Sequence, residues 1–144
     1  MIKEATLSEA KEAARLAQSL WPGQSLGDFI KEMKELISQS DAIILLAYQG
    51  AEVIGFAQCQ LRFDYVEGTD TSPVGYLEGL FVKEAFRKQK VAKNLVHACE
   101  EWAKQKGCVE FASDCELHNK QSLAMHLKLG FEEVNRVICF KKRL

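Results

Sequence analysis

No stretch of this sequence reaches the roughly 18 consecutive apolar residues that a membrane-crossing helix needs, and the opening MIKEATLSEAKEA holds no apolar core of a secretory leader. Both absences argue against a membrane or an exported product. There is also no excess of charge: the formal net charge of −1 removes nonspecific polyanion binding driven by overall charge, so an anionic partner has to be met locally. Five cysteines, Cys59, Cys99, Cys108, Cys115 and Cys139, are an odd number without C-x-x-C spacing, and most fall within apolar periodic segments. They read as buried free thiols rather than metal ligands or disulfides, and the expectation is a cytoplasmic protein. At 144 residues, with no internal repeat or linker, residues 1–144 read as one domain with a core of its own.

The apolar pattern gives a coarse order of elements. Residues 2–5 open a strand. Thr6 and Glu9 form a capping-box signature ahead of a helix through Ala10, Ala13, Ala14, Ala17 and Leu20. Trp21-Pro22-Gly23 breaks it, and Leu26, Phe29, Ile30, Met33, Leu36 and Ile37 recur at the spacing of one helical face. The runs 42–48 and 53–63 predict a hairpin around Gln49-Gly50, with Gln58, Gln60 and Arg62 alternating against apolar residues in the second strand. A polar loop over 64–73 precedes a strand over 75–82, whose central Gly79 suggests a bulge or a close backbone approach. A helix over 89–106, a strand over 108–114, a helix from Asn119 to Gly130, and one bent or two short strands over 131–144 complete the order.

Charge is distributed unevenly within this neutral chain. Residues 64–82 hold Asp64, Glu67, Asp70 and Glu78 without a Lys or Arg, whereas 83–93 hold Lys83, Arg87, Lys88, Lys90 and Lys93 against Glu84 alone. A strand, a basic turn and then a helix start make a phosphate cradle, because the first amides of a helix lack partners and the macrodipole is positive there. A solvated helix start fits the same residues, and the pattern alone leaves the two open. His97, His118 and His126 have no partner at metal-ligand spacing, so no metal site is expected.

The segment Arg87 to Ala92, RKQKVA, resembles the acetyl-coenzyme A pyrophosphate motif Q/R-x-x-G-x-G/A of the GNAT acyltransferase superfamily, with Lys90 standing where that family has Gly. With αR dihedrals the Lys90 amide can still donate, and its ammonium can add a phosphate contact. The segments 20–23 (LWPG), 63–68 (FDYVEG), 72–74 (SPV), 77–79 (LEG), 111–114 (FASD) and 130–133 (GFEE) together resemble the aminoglycoside 6'-N-acetyltransferases over essentially the whole chain. The resemblance implies an α/β fold with a mixed, mainly antiparallel sheet, flanked by helices and splayed between its fourth and fifth strands. It also implies acetyl transfer from acetyl-CoA to the 6'-amine of an aminoglycoside, and a homodimer.

Residue by residue, the resemblance assigns Trp21, Tyr65, Glu78 and Asp114 to the antibiotic site, together with Asn135 at a position that is often Glu. It assigns the amides of Leu80, Phe81 and Val82 to the acetyl carbonyl and pantetheine arm. Arg87, Lys88, Lys90, Val91 and Ala92 go to the pyrophosphate, and Asn119 to a further cofactor contact or a plain helix cap. The residues themselves agree in one respect: polycationic sugars need carboxylates, and the acidic segment supplies them. Glu78 and Asp114 are candidates for accepting the amine proton, and binding ammonium groups explains them equally well. No Tyr follows Tyr76, so protonation of the departing thiolate falls to no assigned side chain. Rival readings are a GNAT enzyme for another polyamine or peptide amine, and a non-catalytic coenzyme A-binding module. Nucleic acid is excluded by the shortness of the basic run and its lack of interleaved aromatics.

Overall fold

The computed structural model describes all residues, Met1–Leu144. Strand β1 (Ile2–Glu4) leads through a short 3-10 turn (Leu7–Glu9) into α1 (Ala10–Leu20), and Ser25 caps α2 (Leu26–Ile37) by accepting from the Asp28 amide at 3.1 Å. The Glu9 carboxylate accepts from the Thr6 hydroxyl at 2.9 Å and the Thr6 amide at 3.2 Å, so the predicted capping pair is present but opens a 3-10 turn rather than α1 itself. Then follow β2 (Ala42–Gln49), β3 (Glu52–Arg62), β4 (Val74–Val82), α3 (Val91–Gln105), β5 (Phe111–Ser113) and α4 (Lys120–Lys128).

The sheet runs β1-β2-β3-β4-β5, antiparallel except for the parallel β4–β5 pair. Two cores cover its two faces. On one, α1 and α2 pack Ala13, Ala14, Phe29 and Met33 against Ile44, Leu46 and Phe56; on the other, α3 sets Leu95, Val96 and Cys99 against Ile43, Leu45, Ala57 and Leu77. This helix-on-both-faces arrangement explains why β2 and the first half of β3 read as continuous apolar runs.

Two features of the sheet create the site. The β4–β5 pairing covers only Gly75–Phe111, Tyr76–Ala112 and Leu77–Ser113, so the strands part immediately before Glu78 and Asp114. Opposite β3, Gln58 pairs with Gly79 and Cys59 with Leu77, which leaves Glu78 as the extra residue of a bulge. The expected bulge is therefore there, with Glu78 rather than Gly79 as the inserted residue. Gly79 answers to close approach instead. A Cβ on it would lie 2.7 Å from Trp21 Cζ2 and 3.0 Å from Leu20 Cδ2.

The C-terminal expectation is overturned: residues 131–144 form no strand. A strand needs a paired neighbour, and this segment instead lies beside the acidic loop. Val134 packs on Gly68, and Asn135 Nδ2 donates to Glu67 Oε1 at 2.8 Å. Val137, Ile138 and Phe140 are left exposed. The predicted strand over 108–114 is likewise reduced to Phe111–Ser113. Cys108 still bonds back to the end of α3 through its amide and Ala103 O, while the Glu110 carboxylate turns to the loop amides of Asp70 and Thr71, both at 2.9 Å.

Candidate active site

A cleft of about 540 Å³ opens where α1 ends, lined by Trp21, Phe29, Glu32, Gln58, Gln60 and Glu78 among others. Trp21 is held by Phe29, stacked at 6.5 Å, and by the edge of Phe56 at 6.3 Å, so its indole is fixed as a wall over Gly79. The bulge aims Glu78 into this space with 17 % of its side chain exposed. Gln58 Nε2 donates to Gln60 Oε1 at 3.0 Å, while Gln58 Oε1 is buried without a partner. The aromatic wall, the carboxylate and the paired amides suit a polar ligand that carries amines and hydroxyls.

Glu78 does not stand bare. Arg62, at the end of β3, donates to it through Nε at 2.9 Å and Nη2 at 2.7 Å, and the guanidinium lies 3.4 Å from the Tyr76 ring centroid. The Tyr76 hydroxyl in turn donates to Asp114 Oδ2. Burial, then this bond to a carboxylate, push the Tyr76 phenol well above its usual range, so it remains a donor. The Glu78 bond, ahead of any cost of burial, raises the Arg62 guanidinium. Asp114 thus reaches Glu78 through Tyr76 and Arg62 rather than directly.

The basic turn lies beyond the other end of β4. Arg87 Nε donates to Val82 O at 2.8 Å, with its guanidinium 5.6 Å from the Phe81 ring centroid. Lys88 (φ 63°) and Lys90 (φ 66°, ψ 14°) are both left-handed, so the αR condition attached to the Lys90 amide is not met. The glycine-like conformation is kept without glycine at both positions, between the Arg87 bond and the start of α3. No side chain caps α3, so the first-turn amides at Val91 and Ala92 are free to meet an anion. Of the three β4 amides singled out, strand alternation turns Phe81 toward β3, as it does Lys83, whose amide bonds Ile54 O at 2.9 Å; Leu80 and Val82 face the open edge. Asn119 caps α4, its Oδ1 accepting from the Ser122 amide at 3.0 Å.

The profile of the acetyltransferase (GNAT) family matches residues 10–131. This chain belongs to that family. Among its relatives, the aminoglycoside N(6')-acetyltransferase type 1 of Acinetobacter haemolyticus is 43% identical over 99% of this chain and 98% of its own. The crystal structure of the aminoglycoside antibiotic 6'-N-acetyltransferase AAC(6')-IG from that organism is 42% identical, with a TM-score of 0.94 over 100% of this chain and 99% of that one. AAC(6')-Iy, solved with the bisubstrate analogue CoA-S-monomethyl-acetylneamine, is 38% identical, with a TM-score of 0.95 over 100% of this chain and 98% of its own.

Within this acetyltransferase the structure brings Trp21 and Glu78 together in one cleft and links Asp114 to them. Tyr65 is exposed and lines a separate hollow of about 380 Å³ with Leu61, Arg62, Phe63 and Asp64. Asn135 stays against Glu67, outside both. Arg62, Tyr76, Gln58 and Gln60 escaped the motif reading. The signal for three of them was the polar alternation of β3, which places Gln58, Gln60 and Arg62 on the face that also carries Tyr76. His126 is engaged within the fold: Nδ1 donates to Ser122 O at 2.7 Å and Nε2 lies 2.9 Å from Ser113 Oγ, tying α4 to β5. No group of His, Cys, Asp or Glu is arranged to hold a metal ion, and no helix is long and apolar enough to cross a membrane.

Proposed function

We propose that this enzyme transfers the acetyl group of acetyl-CoA to the 6'-amine of aminoglycoside antibiotics by direct attack within a ternary complex, and thereby confers resistance. The observation that carries the reading is the position of Glu78. A bulge sets this carboxylate in an aromatic-walled cleft at the point where β4 and β5 part, with the free amides of Leu80 and Val82 continuing along the same strand edge.

The residues present fit coenzyme A: an uncapped helix start with two left-handed lysines before it and Arg87 alongside offers basic side chains and free amides to a diphosphate. Bound there, the thioester supplies the acetyl group. Leu80 and Val82 hold the acyl carbonyl and the pantetheine arm on the open strand edge, where fixed amides stabilise developing negative charge. Trp21 packs on a sugar ring, and Glu78 and Asp114 grip ammonium groups by charge-assisted bonds. One of the two also accepts the proton that the amine loses, directly or through water. Tyr65 extends the antibiotic contact beyond Arg62.

The reading includes a homodimer in the cytoplasm. Support for the dimer comes from the exposed Val137, Ile138 and Phe140 of the extended tail, which a second copy would cover. Five free cysteines suit a reducing compartment. The test is thiol release from acetyl-CoA on adding kanamycin or tobramycin, beside a 6'-hydroxyl aminoglycoside, spermine and a peptide amine. Turnover confined to the 6'-amino drugs is expected. Coenzyme A binding without turnover, or turnover of spermine alone, contradicts the reading.

A further inference from the structure

The cleft and its neighbouring hollow contain a single cation, and it is attached to the carboxylate proposed to hold the substrate amine. Arg62 makes two near-parallel bonds to Glu78 and is stacked on Tyr76, a geometry that fixes the guanidinium plane as well as its charge. The fork occupies one side of Glu78 and leaves lone pairs toward the cleft for a ligand. A substrate amine bound there would have Arg62 as its second neighbour, one carboxylate away.

That placement bears on reactivity. An alkyl amine is protonated near neutral pH, and a protonated amine is not a nucleophile. Carboxylates that capture it stabilise the charged form further, so a purely anionic site would bind the amine well and hold it inert. A fixed cation behind the carboxylate opposes this. We propose that Arg62 is a positioning residue that lowers the basicity of the amine held at Glu78, so that a larger share of bound substrate is the neutral nucleophile. The proposal rests on the reading of Glu78 as the amine anchor.

The other groups facing this point are anionic or neutral: Tyr76 on β4, Asp114 after β5, Asp64 and Tyr65 in the loop after β3, Glu32 on α2, and the Cys59 thiol beneath the bulge. None substitutes for Arg62. Across one carboxylate, roughly 6 Å, and at a dielectric constant of about 20, a unit charge is worth about two pH units. The 43 % exposure of the Arg62 side chain and screening by solvent and salt bring the expected shift to about one.

The test is the pH profile of kcat at saturating aminoglycoside and acetyl-CoA for wild type, Arg62→Gln and Arg62→Lys. Arg62→Gln is expected to move the rising limb alkaline by about one pH unit, losing about tenfold on the acidic side and recovering at high pH, with KM unchanged or lower; Arg62→Lys keeps the wild-type limb. Calorimetric titration of aminoglycoside in buffers of different ionisation enthalpy reads the same effect without turnover, as fewer protons released per substrate bound by Arg62→Gln. An equal loss of kcat at every pH, or unchanged proton release, overturns the proposal and leaves Arg62 a structural tie. Wild type that turns over no aminoglycoside overturns the underlying reading, and the proposal with it.

Discussion

Lys90→Gly should make this enzyme more stable. Lys90 sits at φ 66°, ψ 14° as the residue before α3, in the left-handed region where an L side chain crowds its own carbonyl. That conformation costs about 1–2 kcal/mol for a residue with a Cβ. Glycine removes the cost and returns about 0.5–1 kcal/mol to the unfolded chain as entropy. The net gain is about 0.5–1 kcal/mol. With an unfolding entropy of about 2.1 cal/mol/K per residue, a chain of this length gains about 2–3 °C in Tm. Lys90→Ala is the control, because it discards the ammonium but keeps the Cβ, and it should leave Tm within about 1 °C. Thermal unfolding followed by circular dichroism without cofactor measures both. Equal rises in the two variants would mean that charge repulsion among Arg87, Lys88 and Lys90 was the burden, and a fall in Lys90→Gly would refute the strain argument outright.

Gly79→Ala should drive a methyl into Trp21 and Leu20, cost about 1–3 kcal/mol by urea unfolding and raise KM for the antibiotic as the indole wall shifts; unchanged stability would show that Trp21 is free to move. The acidic loop depends on Glu110, whose carboxyl is held below the usual range first by the Thr71 hydroxyl and then by the Asp70 amide. A lowered folded pKa means this contribution is complete above about pH 4.3 and is lost as pH falls through the folded value, so Glu110→Gln should flatten the acid limb of a stability profile; an unaltered limb contradicts the assignment. Cys115→Ser should retain turnover, since the exposed thiol follows Asp114 with no base bonded to it; loss of thiol release in that variant would point to a covalent route instead of direct attack.

Much of the architecture could be read from periodicity because the helices bury one face each and the central strands bury both. Leu26 to Ile37 and the β2–β3 hairpin are set by local pattern, and the site motifs fell on β4, the basic turn and the start of α4 as expected. What escaped depended on contacts between distant strands. Arg62 looked like one more polar residue of an alternating strand until β3–β4 pairing set it beside Glu78, sixteen residues away. Lys90 looked like a departure from a glycine position, yet the surrounding chain imposes the glycine conformation on it. The tail, 131–144, has strand-like composition but pairs with no strand of this chain, and composition cannot supply the pairing.

The central claim is that carboxylates at the parting of β4 and β5 hold the substrate amine while coenzyme A lies along the open strand edge. Steady-state thiol release with Glu78→Gln plus Asp114→Asn tests it most directly. The expected result is a fall in kcat/KM for kanamycin of at least about a hundredfold, since removing two charge-assisted bonds forfeits about 3 kcal/mol or more, with coenzyme A affinity unchanged. Wild-type kcat/KM in the double variant would contradict the account.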